Sequence, residues 1–301
     1  MPLPRKPYAP VLVIVAVFIF VLVLFAPTTM RAAAPTASCS FNTFSAPTGY
    51  SLSAVNGVTD EGTVVGQLLD NSTQQMIGFS YSAKGVFTRY AAPKSVSTWL
   101  YGGNASGVNA GSYQASVYPD GMHGFLLQGS QFAAVNYPKA ANTWLFDVNQ
   151  LGAAVGSFSA SQTLTKGFLL VNGKYTTIAY PSAPITYAQA INDNGVIVGS
   201  YIVGSVSTGF IWDDGKFTLV SYPKAKYGTS LVGVNNSGVV AGNHFAGDFG
   251  YGFIYENGVF KNVVYPGAKF ATVGGINNNG LVSGQIFFTL TNTLGYTAIC
   301  K

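Results

Sequence analysis

Charge is what this chain has least of. Only 8% of its 301 residues are Asp, Glu, Lys or Arg, and it has two histidines and two cysteines. Beyond residue 40 one arginine remains, Arg89, and twelve basic residues face ten acidic ones, leaving +2. The formal +5 of the whole chain therefore owes much to its first residues. A body so nearly neutral lacks the clustered basic residues that bind nucleic acid. No paired Ser, His and acid motif appears, although a site assembled in space from several segments needs no such motif. The acids never fall at calcium-loop spacing with a terminal acidic ligand. No metal and no cofactor is expected. Helical apolar periodicity long enough for a helix pair is also missing.

What is present is a repeat of about 43 residues, clearest over VNNSGVVAGNHFAGDFGYGFIYENGVFKNVVYP, Val234 to Pro266. Three landmarks recur in fixed order. A turn glycine follows [VI]-N-x-x at Gly62, Gly107, Gly152, Gly195, Gly238 and Gly280. A Gly-aromatic pair stands at Gly78, Gly124, Gly167, Gly209, Gly252 and Gly295. A proline, usually after tyrosine, stands at Pro47, Pro93, Pro138, Pro181, Pro223 and Pro266. Steps of 42 to 46 residues in all three series mark a propeller or a helical array. Each unit has four short runs rich in Val, Ile, Phe, Tyr and Thr, divided by Asn-Asn-Ser-Gly and Glu-Asn-Gly signals that favour hairpins. The expectation is an all-β, six-bladed β-propeller of four-stranded antiparallel blades.

The motifs [VI]-N-x-x-G-x-[VI]-x-G and GF-x-x-x-x-G-x-[FY], over residues 41 to 300, resemble the HAF-repeat extracellular proteins of bacteria. The nearest approach to the His-Ala-Phe triplet is His123-Gly124-Phe125. The resemblance implies a secreted or envelope protein and carries no catalytic residue across.

Residues 1–34 read as a leader. Arg5 and Lys6 precede an unbroken apolar run, Val11 to Ala26, shorter than the ~20 residues of a spanning helix. This fits a signal peptide, with Ala32-Ala33-Ala34 as a cleavage site, or an uncleaved signal-anchor that would be the chain's one membrane attachment. Residues 35–301 are then a single propeller domain, secreted or held in the cell envelope (extracellular or periplasmic), and a monomer.

Cys39 and Cys300 stand at opposite ends of that domain. Ser40 to Pro47 matches a fourth strand and Gly295 to Cys300 a third strand, so the last unit is completed by pairing the N-terminal strand with the C-terminal blade. That pairing removes open edges. A Cys39–Cys300 disulfide would replace the missing hairpin turn, in an oxidising compartment.

Alternating strands sort the loops onto two faces. One carries the Asn-x-x-Gly and Asn-Gly turns. The other carries the variable loops between strands two and three and the Tyr-Pro loops, with Lys94, Lys139, Lys224, Lys226 and Lys269. Variable loops on a rigid scaffold are the usual seat of specificity. Trp99, Trp144 and Tyr187 each follow the Pro by six residues, and Tyr227 lies near the same place. These rings and lysines suit a polysaccharide or a cell-surface protein, or else the rings pack between blades. Just before the [VI]-N pair stand Gly57, Gly102, Asp147, Ala190, Gly233 and Gly275. Small residues fit an innermost strand near an axis. Asp147 breaks the column, either bonding backbone N–H groups or orienting a ligand at the mouth. His123 reads as structural and His244 as a loop residue. The Asn column (Asn104, Asn149, Asn192, Asn235 and Asn277, with Thr59 in the first unit) reads as bonding local backbone. Three functions remain: a non-catalytic binding module on the variable-loop face, a glycan-active enzyme with acids at the channel mouth, or a structural surface protein without a small ligand.

The disulfide generates the first test. Cys39→Ser should lower stability by up to about 5 kcal/mol in the chain-entropy view, read from denaturant midpoints, and leave any binding intact. An unchanged midpoint would remove the clasp from the account.

Overall fold

A computed structural model describes residues 35–301 apart from 116–120, 162, 224, 248 and 290, with the side chain of 160 also left aside. The leader reading and the Lys224 assignment lie outside the described residues. No helix among the described residues is long and apolar enough to cross a membrane.

The chain is all β. After β1 (Cys39–Phe44) come six repeats of one pattern. The first is β2 (Tyr50–Val58), β3 (Val64–Asp70), β4 (Met76–Tyr81) and β5 (Phe87–Tyr90). The second is β6 (Ser97–Gly103), β7 (Val108–Gln114), β8 (Met122–Gln128) and β9 (Gln131–Val135). The third is β10 (Asn142–Val148), β11 (Ala154–Ser161), β12 (Leu164–Val171) and β13 (Lys174–Ile178). The fourth is β14 (Ile185–Ile191), β15 (Ile197–Val203), β16 (Val206–Asp213) and β17 (Lys216–Val220). The fifth is β18 (Gly228–Val234), β19 (Val240–Phe245), β20 (Gly250–Glu256) and β21 (Val259–Asn262). The sixth is β22 (Phe270–Ile276), β23 (Leu281–Phe287) and β24 (Thr293–Cys300), with β1 as its fourth strand. Neighbours within each unit are antiparallel, and the third, fourth and fifth units are joined through single parallel bridges, Thr165↔Ile185 and Ser207↔Gly228.

The turn chemistry follows the sequence. The six turn glycines, five in Asn-x-x-Gly and Gly62 in Thr-x-x-Gly, sit at φ +74° to +82°, where a side chain would strain the backbone. Asn172-Gly173, Asp214-Gly215 and Asn257-Gly258 have both φ values positive, as two-residue primed hairpins require.

The Gly-aromatic landmark is the core. Phe79, Phe125, Phe168, Phe210, Phe253 and Tyr296 are fully buried, each opposite a glycine of its unit's second strand. A Cβ on Gly156 would stand 2.0 Å from Trp144 O and 2.8 Å from the Phe168 ring. The ring therefore takes the volume that a side chain would fill.

Asparagine joins the units. Asn104, Asn149, Asn192, Asn235 and Asn277 are all buried. Each Oδ1 accepts from a backbone N–H of its own turn, for example Val196 N at 2.9 Å. Each Nδ2 donates to the carbonyl of the matching residue one unit on, the last reaching Thr59 O at 2.8 Å. The expected local bonds are there, and the cross-unit bonds add to them. A parallel series lies one residue on, from Gln150 N through Asp193, Asn236 and Asn278 to Asp60. In the first unit Thr59 is too short to continue the inner series, and its buried Oγ1 finds no partner.

At the chain ends β1 pairs β24 in register, Cys39 opposite Cys300, and the two form a disulfide with Cα atoms 4.1 Å apart. Ser38 and Lys301 exchange both backbone hydrogen bonds, which makes the cysteines the adjacent, non-bonded pair, where antiparallel strands come closest. Before β1 the chain runs beside β21, with Ala37 N donating to Asn262 O and Asn262 N to Pro35 O, both at 2.9 Å.

The gap at Thr59 is testable. Thr59→Asn places a donor toward Asn104 O and an acceptor for its own turn, so stability should rise by ~1 kcal/mol in urea unfolding. A loss of stability would contradict the equivalence of the six turns.

Candidate functional site

The first strand of each unit lies innermost: β2, β6, β10, β14, β18 and β22 each pack on the next, and β22 packs on β2. Every one of these strands carries a β-bulge, as at Leu145/Asp147 in β10. A bulge re-aims side chains and frees backbone groups. The bulged residues Tyr101 and Phe146 meet edge to face with centroids 5.2 Å apart, and Phe146 meets Tyr187 at 6.4 Å. Tyr101 and Phe146 were not singled out in the sequence, although each directly precedes the column of small residues, at Gly102 and Asp147.

That column sits where the inner strands are closest. A Cβ on Gly275 would stand 3.1 Å from Gly57 Cα, and one on Gly102 would stand 2.7 Å from Phe146 O. The steric reading of the column therefore holds. Asp147 fits because its neighbour is Gly102: a Cβ there would collide with Asp147 Oδ1 at 2.3 Å. Asp147 Oδ2 accepts from Ile191 N of the next unit at 3.1 Å. The residue is half-buried overall, yet its carboxyl group is enclosed, and desolvation pushes its pKa up to about 7 against the pull of backbone N–H donors. Asp147 lies three residues beyond Trp144 along β10, about 10 Å further from the variable-loop end.

Trp99, Trp144 and Tyr187 occupy one position, opposite Ser112, Ser157 and Ser200 respectively. Directly opposed residues share a sheet face. Ser112 Oγ accepts from Leu145 N and Ser157 Oγ donates to Thr186 O, each one unit on, so the aromatic rings lean toward the following unit. Trp99 is buried, at 7% exposure, while Trp144 and Tyr187 are half-buried. The same position in the other units holds Ser230, Thr272 and Ala54, opposite Asn243, Gln285 and Gln67. Aromatic residues thus fill this position in three consecutive units and smaller residues in the other three.

Lys94 and Lys139 are exposed on the same end, each at positive φ (60° and 62°) in a turn closed by Ser95 N→Ala92 O or Ala140 N→Tyr137 O. Gly267 and Ser182 fill that slot elsewhere. Tyr227 is exposed at 41%, with Lys226 Nζ 5.1 Å from its ring centre. The structure thus brings Trp99, Trp144 and Tyr187 together on inner strands and leaves Lys94, Lys139 and Tyr227 on the surrounding loops.

The tyrosine of the Tyr-Pro landmark has a role that the sequence did not reveal. Tyr137 stacks on Phe158, Tyr180 on Tyr201 and Tyr222 on His244, at 3.5, 3.8 and 3.8 Å between centroids. Each pair staples one unit to the next. His244, expected in a loop, is in β19, buried and stacked; burial lowers its pKa to about 4. The strand runs longer than VVAGN because Thr229 and Tyr251 pair on either side of it. His123 is half-buried and stacks on Tyr113 at 5.2 Å.

No protein-family model matches the chain, and no curated protein matches it by sequence. By fold it is similar to several solved structures. One is the Aleuria aurantia lectin in complex with Fucα1-6GlcNAc, at 12% identity and TM-score 0.56, covering 83% of this chain and 93% of that one. A second is a provisionally assigned gluconolactonase, at 13% identity and TM-score 0.55, covering 91% and 99%. A third is the β-propeller domain of the Trilobed protease from Pyrococcus furiosus, at 9% identity and TM-score 0.54, covering 89% and 94%. At such identities the likeness is one of fold, and the fold is a β-propeller.

Asp147 makes stability depend on pH. Its folded pKa is raised, so between about pH 4 and about pH 7 the folded state holds a proton that the unfolded state has lost. The stabilisation is complete below the unfolded value and disappears as pH rises through the folded one. Asp147→Asn keeps an acceptor for Ile191 N. It should flatten that slope and make the protein more stable than the parent at pH 8. A slope unchanged from the parent would show that Asp147 titrates normally.

Proposed function

We propose that this chain is a secreted or envelope-associated, non-catalytic six-bladed β-propeller of the HAF-repeat kind, closed by β1 beside β24, that binds a polysaccharide through its variable-loop face. The observation that supports the reading is the one inner-strand position that Trp99, Trp144 and Tyr187 occupy in three consecutive units, with Trp144 and Tyr187 half-buried. Aromatic faces take the C–H surface of a sugar ring. Lys94 and Lys139 support it from the rim. Both place an exposed ammonium group at that end. The Cys39–Cys300 disulfide fits an oxidising compartment. A lectin of the same fold, solved with a fucosylated disaccharide, supports a glycan over a protein partner.

The second reading, a glycan-active enzyme, rests on Asp147 with its pKa near 7. Glycoside hydrolysis needs a second carboxyl group about 5–10 Å away. Asp193 is the acid whose charge reaches Asp147, but its Oδ1 accepts from Gln150 N and its Oδ2 from Asn236 Nδ2. Those bonds assign Asp193 to the cross-unit series and favour binding over catalysis.

A glycan array probed with the full chain should return a defined set of glycans. Trp144→Ala and the exposed-site Tyr227→Ala should then weaken binding to those glycans about 10-fold or more, on the scale of a lost aromatic anchor, with far-ultraviolet circular dichroism unchanged. An empty array, or folded variants that bind like the parent, would defeat the proposal.

A further inference from the structure

A groove of about 200 Å³ lies away from the inner strands, between the second and third units, lined by Tyr137, Phe158, Leu164, Lys166 and Thr177. Its base is the Tyr137–Phe158 staple, two rings parallel to within 3°. Its rim is polar: Tyr137 Oη and Thr177 Oγ1 are 2.9 Å apart, and Thr177 is exposed. Lys166 is half-buried. The ion pair found among the described residues joins Lys261 to Glu256 and leaves Lys166 out.

The repeat supplies its own controls. The residue before the Gly-aromatic pair is Ile77, His123, Lys166, Thr208, Tyr251 or Leu294 in the six units. Tyr-Pro staples occur at the next two junctions also, Tyr180–Tyr201 and Tyr222–His244, where this position holds Thr208 and Tyr251. Of these three stapled junctions, the third unit alone sets a lysine at this position. A second lysine, the exposed Lys139, stands on the same Tyr137 turn, and no carboxylate lines the groove.

We infer that this groove is a subsite for one uronic acid residue of an acidic polysaccharide. Its apolar C–H face would lie on Leu164 and the aromatic pair, its carboxylate would meet Lys166, and a ring hydroxyl would bond Thr177. The chemistry follows from the groove: an apolar wall, a neutral hydroxyl and an unpaired cation match a flat sugar with one negative charge. The inference rests on the glycan-binding reading above and adds a second place of contact, one with a charge preference.

The test is calorimetric titration of the full chain with a galacturonic acid tetrasaccharide and with cellotetraose, its neutral counterpart. The acidic probe should bind more tightly, and less so as salt rises. Lys166→Gln should weaken it about 10-fold and leave cellotetraose unchanged. Thr177→Asp, on an exposed edge strand, should weaken the acidic probe at least as much by repulsion; it keeps the test sound if the lysine variant folds poorly. Trp144→Ala should not erase the preference for the acidic probe. Parent-like affinity in both groove variants would overturn the inference. If the array returns glycans but the acidic tetrasaccharide does not bind, the groove assignment fails and the binding-face proposal survives. If no glycan of either kind binds, both fail.

Discussion

One carboxamide holds this architecture together. In five of the six units the asparagine after the inner strand turns its oxygen to its own hairpin and its amide nitrogen to the next unit's carbonyl. Neither half alone would suffice. Without the oxygen the turn would bury unpaired N–H groups, and without the nitrogen adjoining units would meet only through apolar packing. Buried polar groups of this kind are costly when unmade and specific when made. They fix how far each unit sits from the next, and so how close the inner strands can come. The glycine column, the bulges and the half-buried aromatic arc all depend on that distance.

The series is interrupted at the first unit, where Thr59 replaces asparagine and leaves Oγ1 buried and unpaired. The chain ends meet at another place, in the sixth unit, where the Cys39–Cys300 bond stands in for a hairpin turn. The two irregularities are thus separated: the covalent clasp secures the strand contributed by the N-terminal segment, and the polar series weakens between the first and second units. Aromatic staples follow a similar division. They are strong where Tyr137, Tyr180 and Tyr222 precede proline and absent where Ala46 and Ala92 stand instead.

Much of this was legible in the sequence because the repeat displays local requirements six times. The turn glycines announced themselves through the left-handed backbone they need, the Gly-aromatic pairs through their shared period, and the disulfide through two half-units that complete each other. What could not be read was direction. Periodicity places Trp144 and Asp147 on one strand but does not say that the bulge between them re-aims the chain and encloses the carboxylate beside Gly102. The Tyr-Pro tyrosines were visible as landmarks, yet stacking on a residue in the following unit is a long-range contact with no local signature. His244 was misplaced for a related reason: a polar residue after VVAGN resembles a loop, and only its pairing with Thr229 and Tyr251 makes it a strand.

Function follows from where the repeat departs from itself. The structural positions are nearly uniform, while the aromatic arc, the lysines at positive φ and the cation at Lys166 are confined to particular units. A scaffold that keeps its joints constant and varies these side chains is what the proposed binding function requires. Its central claim is that the asparagine joints are real and equivalent, and amide hydrogen exchange followed residue by residue tests it most directly. Val108, Ala153, Val196, Val239 and Leu281, whose N–H groups donate to asparagine Oδ1, should exchange slowly, and Thr63, at the corresponding place beside Thr59, should exchange fast. Six equally protected amides, or five unprotected ones, would contradict the account.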